Sequence, residues 1–147
     1  MKTIYILTPP ETNDLAERVD TILSYAGYNS NIITKSYEDV YIFVSKITPA
    51  DCQLIISLDA FGFEKTAPDG GLYFNQTPVN TLAILFRPAS NYDSFFNCRI
   101  NYTTSILTQS KTDMIYLQEH HKHIYNVNWY SSIEELPIYL DNFDWRY

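Results

Sequence analysis

The stretch from Leu54 to Glu64 reads Leu-Ile-Ile-Ser-Leu-Asp-Ala-Phe-Gly-Phe-Glu. It starts as a mostly apolar run and ends in a carboxylate, a glycine and a second carboxylate. Apolar residues without polar alternation are expected of a strand covered on both faces, the habit of parallel sheets. Ligands of open parallel sheets gather just beyond the carboxyl ends of the strands. Asp59 stands at that end, so one stretch marks both the centre of the core and the expected site.

The chain around it alternates strand and helix. Thr3 to Thr8 is rich in β-branched and aromatic residues and predicts a first strand, stopped by Pro9 and Pro10. Asp14 and Glu17 have the spacing of a helix cap and its partner three residues on. Leu15, Val19, Ile22, Leu23 and Ala26 then share a helical face, and Gly27 is placed to end it. Asn31 to Thr34 predicts a short second strand. Ser36 and Asp39 open a second helix with the stripe Val40, Phe43, Val44 and Ile47, closed by Pro49. The Leu54 run is the third strand, and the rhythm is that of a doubly wound fold.

Between Ala60 and Thr81 the rhythm breaks at Gly62, Pro68, Asp69-Gly70-Gly71 and Pro78, with Phe61, Phe63, Tyr73 and Phe74 between them. Leu72 to Asn75 reads as a small strand. Long irregular connections are uncommon in compact domains and often act as lids; the competing reading is an insertion packed by its own aromatics. Leu82 to Phe86 is a continuously apolar fourth strand, followed by Arg87 and Pro88. An irregular helix is expected near Tyr92 to Asn97 and a fifth strand over Thr103 to Thr108. Ser110 and Asp113 cap a helix to about His121, with Met114, Leu117 and His121 inward. Ile124 to Trp129 reads as a sixth strand. Ser132 and Glu135 start a last helix, which Pro137 is expected to kink or shorten. Phe143, Trp145 and Tyr147 make the tail aromatic, a surface suited to homodimer contact.

The expectation is one Rossmann-like domain over residues 1–147, a three-layer α/β sandwich with five or six mainly parallel strands. Its 46% hydrophobic and 18% charged residues suit a globular chain. The net charge is −7 and Lys and Arg form no runs, which disfavours nucleic acid and an anionic membrane surface. No apolar run approaches the ~20 residues of a membrane span. The opening apolar run lacks a small-residue cleavage site and reads as a strand, not a signal peptide. Two cysteines, Cys52 and Cys98, without a CxxC spacing suit idle thiols in a reducing cytosol. The 13 tyrosines suit contact with proteins or sugars.

Several chemistries are argued down by what stands at the expected positions. The turn Thr8-Pro9-Pro10-Glu11-Thr12-Asn13 has no glycine, and its two prolines remove N–H donors that a phosphate cradle would use. No nucleotide cofactor is expected there. Asp59 and Glu64 suit acid-base work or polyol binding, with a loop cap as the plainer role for Asp59. Arg87, at the same sheet edge, can hold an anion or pair with Asp59 or Glu64. A phosphorylatable receiver would need further acids after the first strand and a Thr or Ser after the fourth; here stand Pro9-Pro10-Glu11 and Phe86-Arg87. Glu119 and His123 are four apart, but Lys122 lies between them and no further metal ligand is apparent, so no metal is expected. A stand-alone hydrolase would need a nucleophile elbow or a recognisable Cys–His pair, and neither is present.

Ile55-Ile56-Ser57-Leu58-Asp59-Ala60-Phe61-Gly62-Phe63-Glu64, Gly71-Leu72-Tyr73-Phe74-Asn75 and Thr81-Leu82-Ala83-Ile84-Leu85-Phe86 resemble the N-terminal half of some bacterial GT-B glycosyltransferases. Ser105-Ile106-Leu107-Thr108, the helix to His121 and Tyr125-Asn126-Val127 fit the same layout. The resemblance implies an acceptor-side Rossmann-like domain that binds a saccharide, pairs with a separate catalytic subunit, or is a relic or fragment; the expected location, from the idle thiols, is cytoplasmic. The second, donor-side domain of that family lies outside this chain, so the implied domain is not active alone. Its groove would be lined by Thr8, Asp59, Phe61, Glu64, Asn75 and Arg87. The alternative is a degenerate receiver-like module that binds another protein through a tyrosine-rich face.

Overall fold

The computed structural model describes residues 3–36 and 38–143, apart from the side chains of Thr12 and Asn13. Six strands form one parallel sheet: β1 (Thr3–Thr8), β2 (Ser30–Thr34), β3 (Cys52–Leu58), β4 (Asn80–Ile84), β5 (Thr104–Thr108) and β6 (Asn126–Trp129). Their spatial order is β2-β1-β3-β4-β5-β6. It extends by one strand the 2-1-3-4-5 order of flavodoxin-type doubly wound sheets. The α/β Rossmann-like fold expected from the alternating pattern is the fold observed.

The central pair bears the architecture. β3 and β4 run parallel, with Leu54 beside Asn80 and Ile56 beside Leu82. Side chains alternate across the sheet, and both sets are buried. Ile4, Ile6, Leu54, Ile56, Leu82 and Ile84 pack under α1 (Asn13–Tyr25) and α4 (Leu136–Asp141). Leu7, Ile55, Ala83 and Ile106 pack under α2 (Asp39–Lys46) and α3 (Lys111–His120). Apolar residues on both faces are the reason the Leu54 run shows no alternation.

The helices end where their sequences say. Gly27, at φ +92°, donates its N–H to Ser24 O, and Tyr28 donates to Leu23 O. Together these bonds form a Schellman cap, which needs a left-handed residue. Ser110 accepts the Asp113 N–H and donates its hydroxyl to the Asp113 carboxylate, closing the first turn of α3. Expectations for α1, for Leu72 to Asn75 and for α4 need correction. Helix α1 begins at Asn13, so Asp14 lies inside the first turn, where its charge suits the helix dipole. Ala16, not Ala26, completes its buried face. Tyr73–Gln76 is a 3-10 turn, not a strand, and Leu72 forms only an isolated antiparallel bridge with Thr66. Pro137 sits in the first turn of α4, where its missing N–H breaks no helical bond, so it starts the helix.

The connection between β3 and β4 takes the place of a helix. Phe61, Phe63, Leu72, Phe74 and Val79 are buried against the sheet, and Phe63 lies 5.3 Å from Phe74 and 5.9 Å from Phe96. The aromatic packing of the insertion is therefore its own layer of core. The β4–β5 connection is similar: it begins with a 3-10 turn over Ala89–Tyr92, earlier than the helix expected near Tyr92 to Asn97, and it buries Tyr92 and Phe96. Among the described residues, no helix is long and apolar enough to cross a membrane. Trp145 and Tyr147 of the expected aromatic tail lie outside the described residues.

Candidate functional site

Strand order reverses between β1 and β3, and a crevice opens beyond the carboxyl ends at such a switch point. A cleft of about 170 Å³ lies there, lined by Pro9, Leu15, Leu58, Asp59, Phe61, Glu64, Phe86, Arg87 and Phe95. The lining comes from the ends of β1, β3 and β4, from α1 and from the two aromatic connections.

Asp59 is aimed by its backbone. Asp59 and Ala60 are consecutive non-glycine residues in the left-handed region, at φ 55° and 59°. Such a conformation costs about 1–2 kcal/mol for a residue with a Cβ, less for Asp. The reversal is held by the Asp59 N–H donating to Ile84 O at 2.7 Å and by the Ser57 hydroxyl donating to Phe61 O at 2.6 Å. It turns the Asp59 carboxylate toward the end of β4. There the carboxylate accepts the Phe86 N–H at 3.2 Å and the Tyr92 hydroxyl, and pairs with Arg87 Nε at 3.1 Å.

Tyr92 closes this constellation. Its ring is fully buried, and its hydroxyl oxygen accepts the N–H groups of Phe86 and Arg87. Burial, then the bond to Asp59, raises its pKa, so the phenol stays a donor. The Arg87 guanidinium lies 4.8 Å from the Tyr92 ring centre. Contact with Tyr92 and the Asp59 charge hold Arg87 firmly protonated. The internal pairing of Arg87 with Asp59, the plainer of its expected roles, is the one observed.

Glu64 is exposed as a residue, yet protein atoms crowd its carboxyl and push its pKa up; the nearby Asp59 charge adds to this. One of its oxygens accepts the Gly62 N–H at 2.8 Å, which opposes the shift.

Of the residues expected to line the groove, Asp59, Phe61, Glu64 and Arg87 meet in the cleft. Thr8 is buried beneath it and donates its hydroxyl to Pro9 O; Pro9 supplies the wall. Asn75 is elsewhere. It donates to Arg99 O at 2.8 Å and accepts the Asn101 N–H at 2.7 Å, stapling the insertion to the β4–β5 connection. Sequence reasoning missed Phe86 and Phe95, which line the cleft, and Tyr92 beneath it. The signal for Tyr92 and Phe95 was the spacing of Tyr92, Phe95 and Phe96 just after Arg87-Pro88, which suits one turn folding back on the strand end.

Among the described residues, the lining holds no Ser, Cys or His. Elsewhere, burial pushes the Cys52 thiol up to about 11 and raises that of Cys98. His121 is buried and bonded to Asp93 at 2.8 Å, well inside the α3 face. Among the described residues no three His, Cys, Asp or Glu gather as a metal site. The cleft thus offers aromatic faces, a neutralised Asp59–Arg87 pair and one adjustable carboxyl, a set suited to holding a small polar ring. Compared with protein-family models, with curated proteins and with solved structures, the chain matches none.

Proposed function

We propose that the chain is a saccharide-binding domain, related to the acceptor side of GT-B glycosyltransferases and dependent on a partner for any reaction. The observation that carries this reading is the cleft lining: Phe61, Phe86 and Phe95 beside Asp59, Glu64 and Arg87. A sugar ring has apolar C–H faces and a rim of hydroxyls. Aromatic walls suit the faces, and carboxylates and a guanidinium suit the rim. The size suits a single ring, because 170 Å³ is well under the ~300–1,000 Å³ of pockets for drug-sized ligands. The test is an NMR titration of the full chain with monosaccharides. Saturable shifts at Phe61, Glu64 and Phe95 are expected, and Glu64→Ala weakens them. No shift at any of these positions removes the reading.

A degenerate receiver-like interaction module is the second reading. The observation favouring it is the strand order together with an aspartate at the end of β3. Arg87 and Tyr92 occupy the Asp59 carboxylate, which suits a receiver that no longer takes phosphate. Magnesium with acetyl phosphate is then expected to leave the Asp59 amide unmoved; a shift there would point to a working receiver instead.

A further inference from the structure

Glu64 is one wall of the cleft. That residue also lines a neighbouring depression of about 460 Å³, whose other walls among the described residues are Glu38, Tyr41 and Lys65. Tyr41 comes from α2, and its ring lies 4.3 Å from that of Tyr73, tilted by 31°. Both rings are half-buried, so each keeps part of its surface outside the core. Lys65 Nζ lies 5.9 Å from the Tyr41 ring centre.

We propose that the two depressions form one groove for a neutral oligosaccharide of at least two units. The first ring sits among Phe61, Phe86 and Phe95; the next lies beside Tyr41, with Lys65 and Glu38 on its hydroxyls. This rests on the saccharide reading and extends it from a ring to a chain.

Three observations carry it. The first is adjacency, because Glu64 is a wall of both depressions. The second is size: the inner cleft has room for one ring only, and the depression beside it, at about 460 Å³, falls within the ~300–1,000 Å³ of ordinary ligand pockets. The third is charge. The outer depression sets Lys65 against Glu38 and Glu64, so an anion meets two carboxylates and a cation meets an ammonium. Hydroxyls both donate and accept, and so match both signs.

The experiment is an NMR titration of the full chain with glucose, maltose, cellobiose, N-acetylglucosamine and diacetylchitobiose. At least one disaccharide is expected to bind about tenfold more tightly than its parent monosaccharide, the effect of one added favourable contact set. It should shift the amides of Tyr41 and Lys65 as well as those of Phe61 and Glu64. Lys65→Ala changes an exposed side chain outside the inner cleft. It should return the disaccharide to the monosaccharide's affinity and leave the monosaccharide unaffected. Tyr41→Ala should do the same. Equal affinities, with shifts confined to Phe61 and Glu64, would overturn the groove and leave the single-ring reading standing. Silence from all five sugars would overturn both, as would shifts at Tyr41 and Lys65 with none at Phe61.

Discussion

Arg87 Nε lies 3.1 Å from Asp59 Oδ2, across the gap between the ends of β4 and β3. The pair is about half exposed on the Arg87 side, whereas the phenol that shares the same carboxylate is fully buried. Burial decides which partner matters for stability. A solvated ion pair contributes little, because water screens it and the long side chain must be immobilised. A buried hydroxyl that loses its acceptor keeps its whole desolvation cost.

Arg87→Ala is therefore expected to cost under about 1 kcal/mol, and Asp59→Ala about 1–3 kcal/mol. Tyr92→Phe, which takes an acceptor from the Arg87 N–H, should cost about 1 kcal/mol. The double variant Asp59→Ala, Tyr92→Phe should cost less than the two singles together, by at least ~0.5 kcal/mol. Urea unfolding of the four proteins measures this. Strict additivity would show that the two side chains do not depend on each other.

Gly62 and Gly27 both have a positive φ, near +96° and +92°, but only one is crowded. A Cβ on Gly62 would lie 2.9 Å from the Phe74 ring, whereas nothing lies within 4 Å of one on Gly27. Gly27→Ala should cost about 1–2 kcal/mol from backbone strain alone. Gly62→Ala should add an overpacking cost of about 1–3 kcal/mol. Thermal unfolding of the two variants compares them, and equal losses would argue that the insertion yields freely around Phe74.

The Glu64 carboxyl has a folded-state pKa above its ordinary 4.5, chiefly through burial of the group. The folded protein therefore binds this proton more tightly than the unfolded chain. The stability linked to it is complete below pH 4.5 and is lost as pH rises through the folded value. Glu64→Gln keeps an acceptor for the Gly62 N–H without the charge. It should raise the melting temperature at neutral pH, with the gain shrinking as pH falls toward 4.5. A gain independent of pH, or a loss at neutral pH, would contradict the assignment.

Glu134 shifts the opposite way, down to about 2, through the Ser132 hydroxyl first and Arg18 second. Its contribution is present above pH 4.5 and lost as pH falls from 4.5 through about 2. Side-chain NMR titration should show the Glu134 pKa rising in Ser132→Ala and, less far, in Arg18→Ala. An unmoved value in Ser132→Ala would mean that the hydroxyl is not its main partner.

Legibility followed the range of the interaction. Gly27, Ser110 and the Leu54 run act through neighbours a few residues away, and each takes the role its local pattern announces. Pro137 departs from its expected role because its effect depends on where α4 begins, and the preceding 3-10 turn over Ile133–Glu135 sets that start. Asn75 lies away from its expected place in the groove because its partners, Arg99 and Asn101, lie more than twenty residues on.

The sequence by itself determined a doubly covered parallel sheet with Asp59 and Arg87 at one edge. Apolar periodicity and glycine and serine punctuation are local, and every strand and helix must satisfy them where it stands. Only the tertiary structure decided which side chains share the cleft. It put Tyr92 beneath Asp59 and took Asn75 away, because those choices rest on how two long aromatic connections pack over the sheet. Such packing is a contest among buried surfaces far apart in the chain, and no stretch of residues records its outcome alone.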